Sequence, residues 1–526
     1  MAYPFSQPQL VQHMKPPALP PYVTDLDTRV LALGSGNWMT LDNLYRGNLA
    51  LGSNGSGKSS GVIKNLARAA LGNLGAGVLV LTAKDDTKDW IAWCREAGRL
   101  DDLIIFDDKH HRIDFVDYAS RNGAEGSKES ANLTELLFKV SQATQRFRKH
   151  SSAGEAFWPM KGREFVDAAI SIHNCAFGRV TIADIARTLE HAPRREHDLK
   201  AADFARENYA AHVLAKCHDD PVNPLPADDL RVLGNYFGHH FRLMDERTRS
   251  GVEAEVMGVL QPFMKGTARR LFASGITTVT PELLDAGAVI VFALPIHRFE
   301  EVSVIGQVIF KTLFQRYALR RKITSRSRPL ALFVDECQYF MDHESDSLFQ
   351  STCRSNRIMT CYATQNLPLL IEHMGGQHPE HAVKAWIGNL ANKFLCSQNC
   401  GYTNRWVVEE LIGRGLRYQH GRTEGTSEQL SHGYSRGYGY SHTDGMQSSH
   451  SASGNSGRSR TTSRGQNAST TTTEVYEQMI QTGELASMLR TGGPATRWKV
   501  DALLHTDGRT FPHTGRSWTL CTFSQR

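Results

Sequence analysis

Gly52-Ser53-Asn54-Gly55-Ser56-Gly57-Lys58-Ser59 fills every fixed position of the phosphate-binding pattern G-x-x-x-x-G-K-[ST]. Residues 44–51 before it read as an apolar strand, and residues 59–71 after it read as a helix. Glycines lack Cβ atoms, so the backbone can bend until successive N–H groups surround an anion, and the helix aims its positive end at the same point. The loop is therefore expected to cradle ATP with Gly52, Ser53, Asn54, Gly55, Ser56, Gly57, Lys58, Ser59 and Ser60. Lys58 would reach the β- and γ-phosphates, and the Ser59 hydroxyl would ligate Mg²⁺.

A nucleotide site of this kind needs acidic groups, and Leu330-Ala331-Leu332-Phe333-Val334-Asp335-Glu336 provides them at the end of a buried-type strand. Asp335 is expected on Mg²⁺, and Glu336 as the general base for the attacking water. The next predicted strand, 358–364, ends at Gln365. In a parallel sheet the carboxyl ends of neighbouring strands share one crevice, so Gln365 is expected beside Asp335 as a water-orienting group. Charge that develops in phosphoryl transfer calls for a cation. Arg354 is the first candidate and Arg357 the second, with a solvated arginine at a helix end as the alternative reading of Arg354.

Outward from these motifs, short apolar runs at 78–81, 103–106 and 288–294 alternate with helical periodicity, including a helix over about 302–319. The pattern predicts an α/β fold with a mainly parallel sheet covered on both faces. Residues 1–25 form a Pro-rich arm, 26–127 the first part of the nucleotide-binding domain, 128–275 an all-α insertion, and 276–419 the second part. Residues 420–473, rich in Ser, Gly and His and nearly without aliphatic side chains, are expected to be a flexible segment. Residues 474–526 regain apolar periodicity and are expected to return to the motor domain.

Apolar residues make up 40% of the 526, the formal net charge is +6 and the isoelectric point is about 8.8. This mild basicity is compatible with a polyanionic partner. The nine cysteines are scattered, which points to a reducing cytoplasm rather than a disulfide framework. Cys396 and Cys400 lack a second pair to complete a zinc site. No apolar run approaches the roughly 18 residues of a membrane span. Three basic clusters are candidates for phosphate contact: Arg146-Phe147-Arg148-Lys149-His150; Arg320-Arg321-Lys322 with Arg326 and Arg328; and Arg458, Arg460 and Arg464.

Several segments, in order, resemble the coupling proteins of conjugation and type IV secretion, within the HerA/FtsK-like group of DNA-pumping ATPases. They are residues 49–66; GVLVLTAKD at 77–85; 103–118; RSGVEAEVMGVLQPFMKGTARRLF at 249–272; LLDAGAVIVFALP at 283–295; 330–367; and GNLANKFL at 388–395, with ELASMLRTGG at 484–493 more weakly similar. The resemblance implies a RecA-like P-loop motor domain with an inserted all-α domain. It also implies a homo-hexameric ring with ATP between subunits, although the free protein could be a monomer. By the same resemblance the substrate is single- or double-stranded DNA handed over with a relaxase, and Lys58, Ser59, Asp335, Glu336, Arg354 and Gln365 occupy the family's motif positions. The family's usual N-terminal transmembrane helices have no counterpart here, so a cytoplasmic protein held at the inner membrane through a channel or membrane subunit is expected. Thr82 stands where the family commonly has an acid. A protein-secretion ATPase and an ATP-binding recruitment scaffold are the alternative functions.

Overall fold

The computed structural model describes residues 22–34, 36–121, 130–147, 157–194, 208–375, 378–442 and 450–526. Residues 1–21 of the expected Pro-rich arm lie outside the described residues. The chain divides into two units. One comprises the sequence up to Trp406 together with 482–526; the other is Val407–Gln481.

In the first unit, β1 (Arg29–Gly34) and β2 (Asn37–Thr40) form an antiparallel ribbon, and Thr40 caps the short helix Leu41–Tyr45. The strand expected over 44–51 is thus shorter, β3 (Asn48–Leu51), because the capped helix takes its first residues. There follow β4 (Gly77–Thr82), β5 (Leu103–Phe106), β6 (Val289–Phe292), β7 (Leu330–Asp335), β8 (Ile358–Thr364) and β9 (Asn392–Leu395). β10 (Arg414–His442) and β11 (His450–Gln478) belong to the second unit, and β12 (Lys499–Thr506) and β13 (Trp518–Ser524) complete the first.

The main sheet has the order β13-β12-β9-β3-β8-β7-β4-β6-β5. From β9 to β5 all neighbours are parallel, while β12 and β13 add an antiparallel edge next to β9. β3, β4, β6, β7 and β8 are buried along their whole length. This explains their mostly apolar runs: helices cover both faces, and few residues need to be polar. Helices such as Ile296–Arg320, wider than the expected 302–319, supply the cover. Among the described residues, the regular elements between β5 and Pro281 are helices, among them Ser130–Phe147, Phe157–Phe177 and Glu246–Met264.

The second unit differs from expectation. Residues 420–442 and 450–473, read as flexible, lie in a two-stranded antiparallel ribbon whose register runs without slip from Arg414↔Gln478 to His442↔His450. Composition offers no apolar core, but ladder hydrogen bonds require none, and the Thr and Tyr residues suit extended backbone. Residues 443–449 lie outside the described residues.

Candidate nucleotide site

The loop after β3 turns where two glycines are required. A Cβ on Gly52 would lie 2.8 Å from the Cβ of Cys396, and Gly57 holds φ +83° with Val500 and the Thr491 carbonyl pressed against it. The chain then enters a continuous helix, Lys58–Ile63 running on through Lys64–Arg68 to Ala69–Asn73. The N–H groups of Gly55, Gly57, Lys58 and Ser59 find no acceptor among the described residues. Lys58 is 5% exposed and makes no hydrogen bond among them. Ser56 Oγ is buried without a partner. Unspent donors and a buried ammonium around one turn fit a polyphosphate.

The carboxyl ends of β7 and β8 face this loop. Ser59 Oγ donates to Asp335 Oδ2 at 3.2 Å, so two hard oxygens lie within the reach of a single Mg²⁺. Glu336 follows Asp335 in a left-handed conformation (φ 49°), and its amide donates to Asp335 Oδ1 at 2.9 Å. That strained turn aims the two carboxylates separately.

Glu336 is 3% exposed and fully hydrogen-bonded. Its Oε1 accepts from Lys84 Nζ at 2.7 Å and Gln365 Nε2 at 3.3 Å; its Oε2 accepts from Gln338 Nε2 at 3.0 Å. Burial alone would raise its pKa, but the Lys58 and Lys84 charges and the Lys84 and Gln338 hydrogen bonds outweigh burial and hold it below the ordinary value. Gln338 is oriented in turn by Thr364 Oγ1, which donates to its Oε1 at 2.8 Å.

A second chain of bonds runs back to the loop. Ser53 Oγ donates to Gln398 Oε1 at 2.8 Å, and Gln398 Nε2 donates to the Gln365 carbonyl at 2.6 Å. Ser60 is exposed and accepts from Gln525 Nε2 at 2.6 Å. The same Gln525 accepts through its carbonyl from Lys64 Nζ at 2.6 Å. Thr82, in the position read as a departure, donates through Oγ1 to Asp86 Oδ2 at 2.7 Å. An acid is thus supplied four residues further on, its pKa raised by burial.

The structure therefore brings Lys58, Ser59, Asp335, Glu336 and Gln365 together. Asn54 and Gly55 form the exposed tip of the loop. Arg354 lies elsewhere. It follows the helix His343–Thr352 and precedes β8, where its Nε donates to Asp42 Oδ1 at 2.8 Å. β8 separates it from Gln365 by seven strand residues, about 23 Å at roughly 3.3 Å per residue. Arg357 lies at the same edge. Within one chain neither reaches the loop.

Lys84, Gln338 and Gln398 were not singled out from the sequence. Each sits just beyond the carboxyl end of a strand bordering the crevice, and that position was the available signal.

The basic clusters have other surroundings. Arg146 donates to the Met374 carbonyl at 2.9 Å and lies 4.0 Å from Asp342; Arg148, Lys149 and His150 lie outside the described residues. Arg320, Arg321, Lys322, Arg326 and Arg328 line a cavity of about 420 Å³ just before β7, at the sheet edge opposite the nucleotide crevice. There Arg321 is tied to Asp285 and Arg328 to the Gly75 carbonyl at 2.7 Å.

No protein-family model matches the sequence, and no curated protein matches it. Solved structures do. The unbound form of the bacterial conjugative coupling protein TrwBdeltaN70 matches with a TM-score of 0.52 at 13% identity, covering 96% of this chain and 90% of that one. The plasmid coupling protein TrwB in complex with ADP and Mg²⁺ matches with a TM-score of 0.54 at 12% identity, covering 96% and 91%. Its complex with a non-hydrolysable ATP analogue gives the same figures, TM-score 0.54, 12%, 96% and 91%. Among the described residues no helix is long and apolar enough to cross a membrane. The chain has the RecA-like P-loop fold of the conjugative coupling proteins.

Proposed function

We propose that this chain is an ATP-hydrolysing coupling protein that recruits or pumps DNA, with a relaxase, in conjugative transfer or type IV secretion. The observation that carries the reading is a buried, charged Glu336 at the carboxyl end of β7, beside Asp335 and facing Lys58 and Ser59, in a chain with the coupling-protein fold. Lys58 and the loop amides would hold the phosphates, and Ser59 and Asp335 would hold Mg²⁺. Bound ATP supplies the phosphoryl group that passes to water. Glu336 accepts the proton of that water, and Gln365, bonded to Glu336, orients it.

Arg354 can serve only a neighbour's site, since its own lies across the sheet. In a homo-hexamer with shared interfaces it would do so, and the helical run within 128–275 would be an all-α insertion. The protein would work in the cytoplasm, docked at the inner membrane through a partner subunit.

The test is steady-state ATP hydrolysis with and without single- and double-stranded DNA, at concentrations where oligomers are verified. DNA-stimulated turnover is expected, abolished by Lys58→Ala and lowered about 10²- to 10⁴-fold by Glu336→Gln. Turnover indifferent to DNA would overturn the DNA reading in favour of a protein-secretion ATPase.

A further inference from the structure

The ribbon β10–β11 sorts its side chains by face. Strand residues alternate sides, and register fixes which cross-strand residues share one. On one face lie Arg422, Glu424, Glu428, Leu430, His432, Tyr434, Arg436 and Tyr438, with Arg458, Arg460 and Arg464 opposite them. On the other face, Thr423 to Gly437 and Gly457 to Gly465 present only Thr, Gly, Ser and Gln. The contacts agree. Arg464 Nε donates to Glu428 Oε1 at 2.8 Å, and the Arg458 guanidinium stands 5.1 Å over the Tyr434 ring, each across a register pair. On the small face, a Cβ on Gly433 would meet Ser459 Oγ at 3.1 Å.

Charges placed only for solubility would decorate both faces. Between residues 422 and 470 they occupy one, together with the aromatic rings. The two acids on that face between residues 422 and 470 are already paired, Glu424 with Arg422 and Glu428 with Arg464. Residues 429–442 and 450–473 contain no Asp or Glu. What remains is a patch of His432, Tyr434, Arg436, Tyr438, Arg458 and Arg460, with Tyr434 74% and Tyr438 71% exposed. Cations without acids select a polyanion, and rings open to solvent beside them select one whose bases are free to stack.

We propose that the Tyr–Arg face of this ribbon binds single-stranded nucleic acid, with the tyrosines as stacking platforms and the arginines on phosphates. It shares the DNA partner of the function above but stands on the ribbon's own residues, independently of ATP hydrolysis.

The experiment uses the full chain, with anisotropy of labelled oligo-dT and of a duplex of equal length over a salt series. Wild type is expected to prefer the single strand. Joint Tyr434→Ser and Tyr438→Ser substitution should weaken it about tenfold or more. Joint Arg436→Gln, Arg458→Gln and Arg460→Gln should reduce the log–log salt slope by about 2. Ser431→Ala with Ser459→Ala, on the opposite face, should change nothing, and DNA-free ATP turnover should be equal in all. Unchanged binding in the tyrosine variant, or equal binding of duplex, overturns the proposal. Binding that follows these variants while turnover ignores DNA overturns the motor reading and leaves this one standing.

Discussion

Lys84 Nζ lies 2.7 Å from Glu336 Oε1, joining the residue just past β4 to the carboxylate just past β7. Adjacent strands bring them together, since Thr82 pairs with Asp335 in register. The lysine is half-exposed and its partner buried, so the ammonium stays hydrated while it favours the charged carboxylate. Removing it must raise the Glu336 pKa. In Lys84→Gln the acid limb of the kcat–pH profile is expected to move to higher pH. An unmoved limb would mean that Lys84 does not govern the base.

Arg354 leads to a mixing experiment. Arg354→Ala and Lys58→Ala proteins should each be nearly inert, the former by about 10³-fold or more. Mixed together, some interfaces join an intact loop to an intact arginine, and partial turnover should return. Full turnover by Arg354→Ala alone would remove this residue from the chemistry.

Asp342 caps the helix His343–Thr352, accepting from Ser345 N at 3.0 Å. Burial works to raise its pKa, but the Ser345 hydrogen bonds and the Lys139 and Lys311 charges bring it from 3.8 down to about 2. A depressed carboxylate stabilises the fold above its unfolded pKa, and the gain disappears as pH falls through the folded value. This drop corresponds to about 2 kcal/mol. Asp342→Asn should therefore lower urea-unfolding stability by about that much at neutral pH, with the difference closing as pH nears 2.

Lys311 and Asp346 form an ion pair at 1% and 0% side-chain exposure, completed by Gln315 Nε2 donating to Asp346 Oδ1 at 2.6 Å and by the Asp342 amide donating to Oδ2 at 2.7 Å. Asp346→Ala leaves a buried ammonium with only the Phe340 carbonyl and the more distant Asp342 charge and should cost about 3–5 kcal/mol, whereas joint Lys311→Met and Asp346→Leu should recover much of it. A loss below about 1 kcal/mol for the single variant would show that water reaches the site.

Apolar runs made β4, β6, β7 and β8 legible, because strands buried on both faces leave a continuous mark, and β5 kept an apolar run although it is only half-buried at the sheet's edge. The loop motif and Asp335–Glu336 were legible for a different reason: their chemistry permits few residue types. Lys84 and Gln398 were not, since their partners depend on β4 lying beside β7 and β9 beside β3. The ribbon escaped notice because its alternation is between large and small polar side chains, which hydropathy does not register. Arg354 was legible as a basic residue, but which edge of the sheet held it became clear only from the structure.

β12 covers β9, and Val500 on β12 presses on Gly57 and Gly61 of the loop. During synthesis these partners arrive about 440 residues after the loop, which at about 5–20 residues per second is roughly 20 to 90 s later. β9 itself is finished only at Leu395, so for about the last 100 residues of that interval, roughly 5 to 20 s, the nascent chain can carry an assembled parallel sheet with β9 bare along one side, the kind of exposed edge that recruits other chains. Ribosome-bound copies on one message would be close enough to pair there, so expression yield should depend on chaperone supply and translation speed more than on the stability of the finished protein.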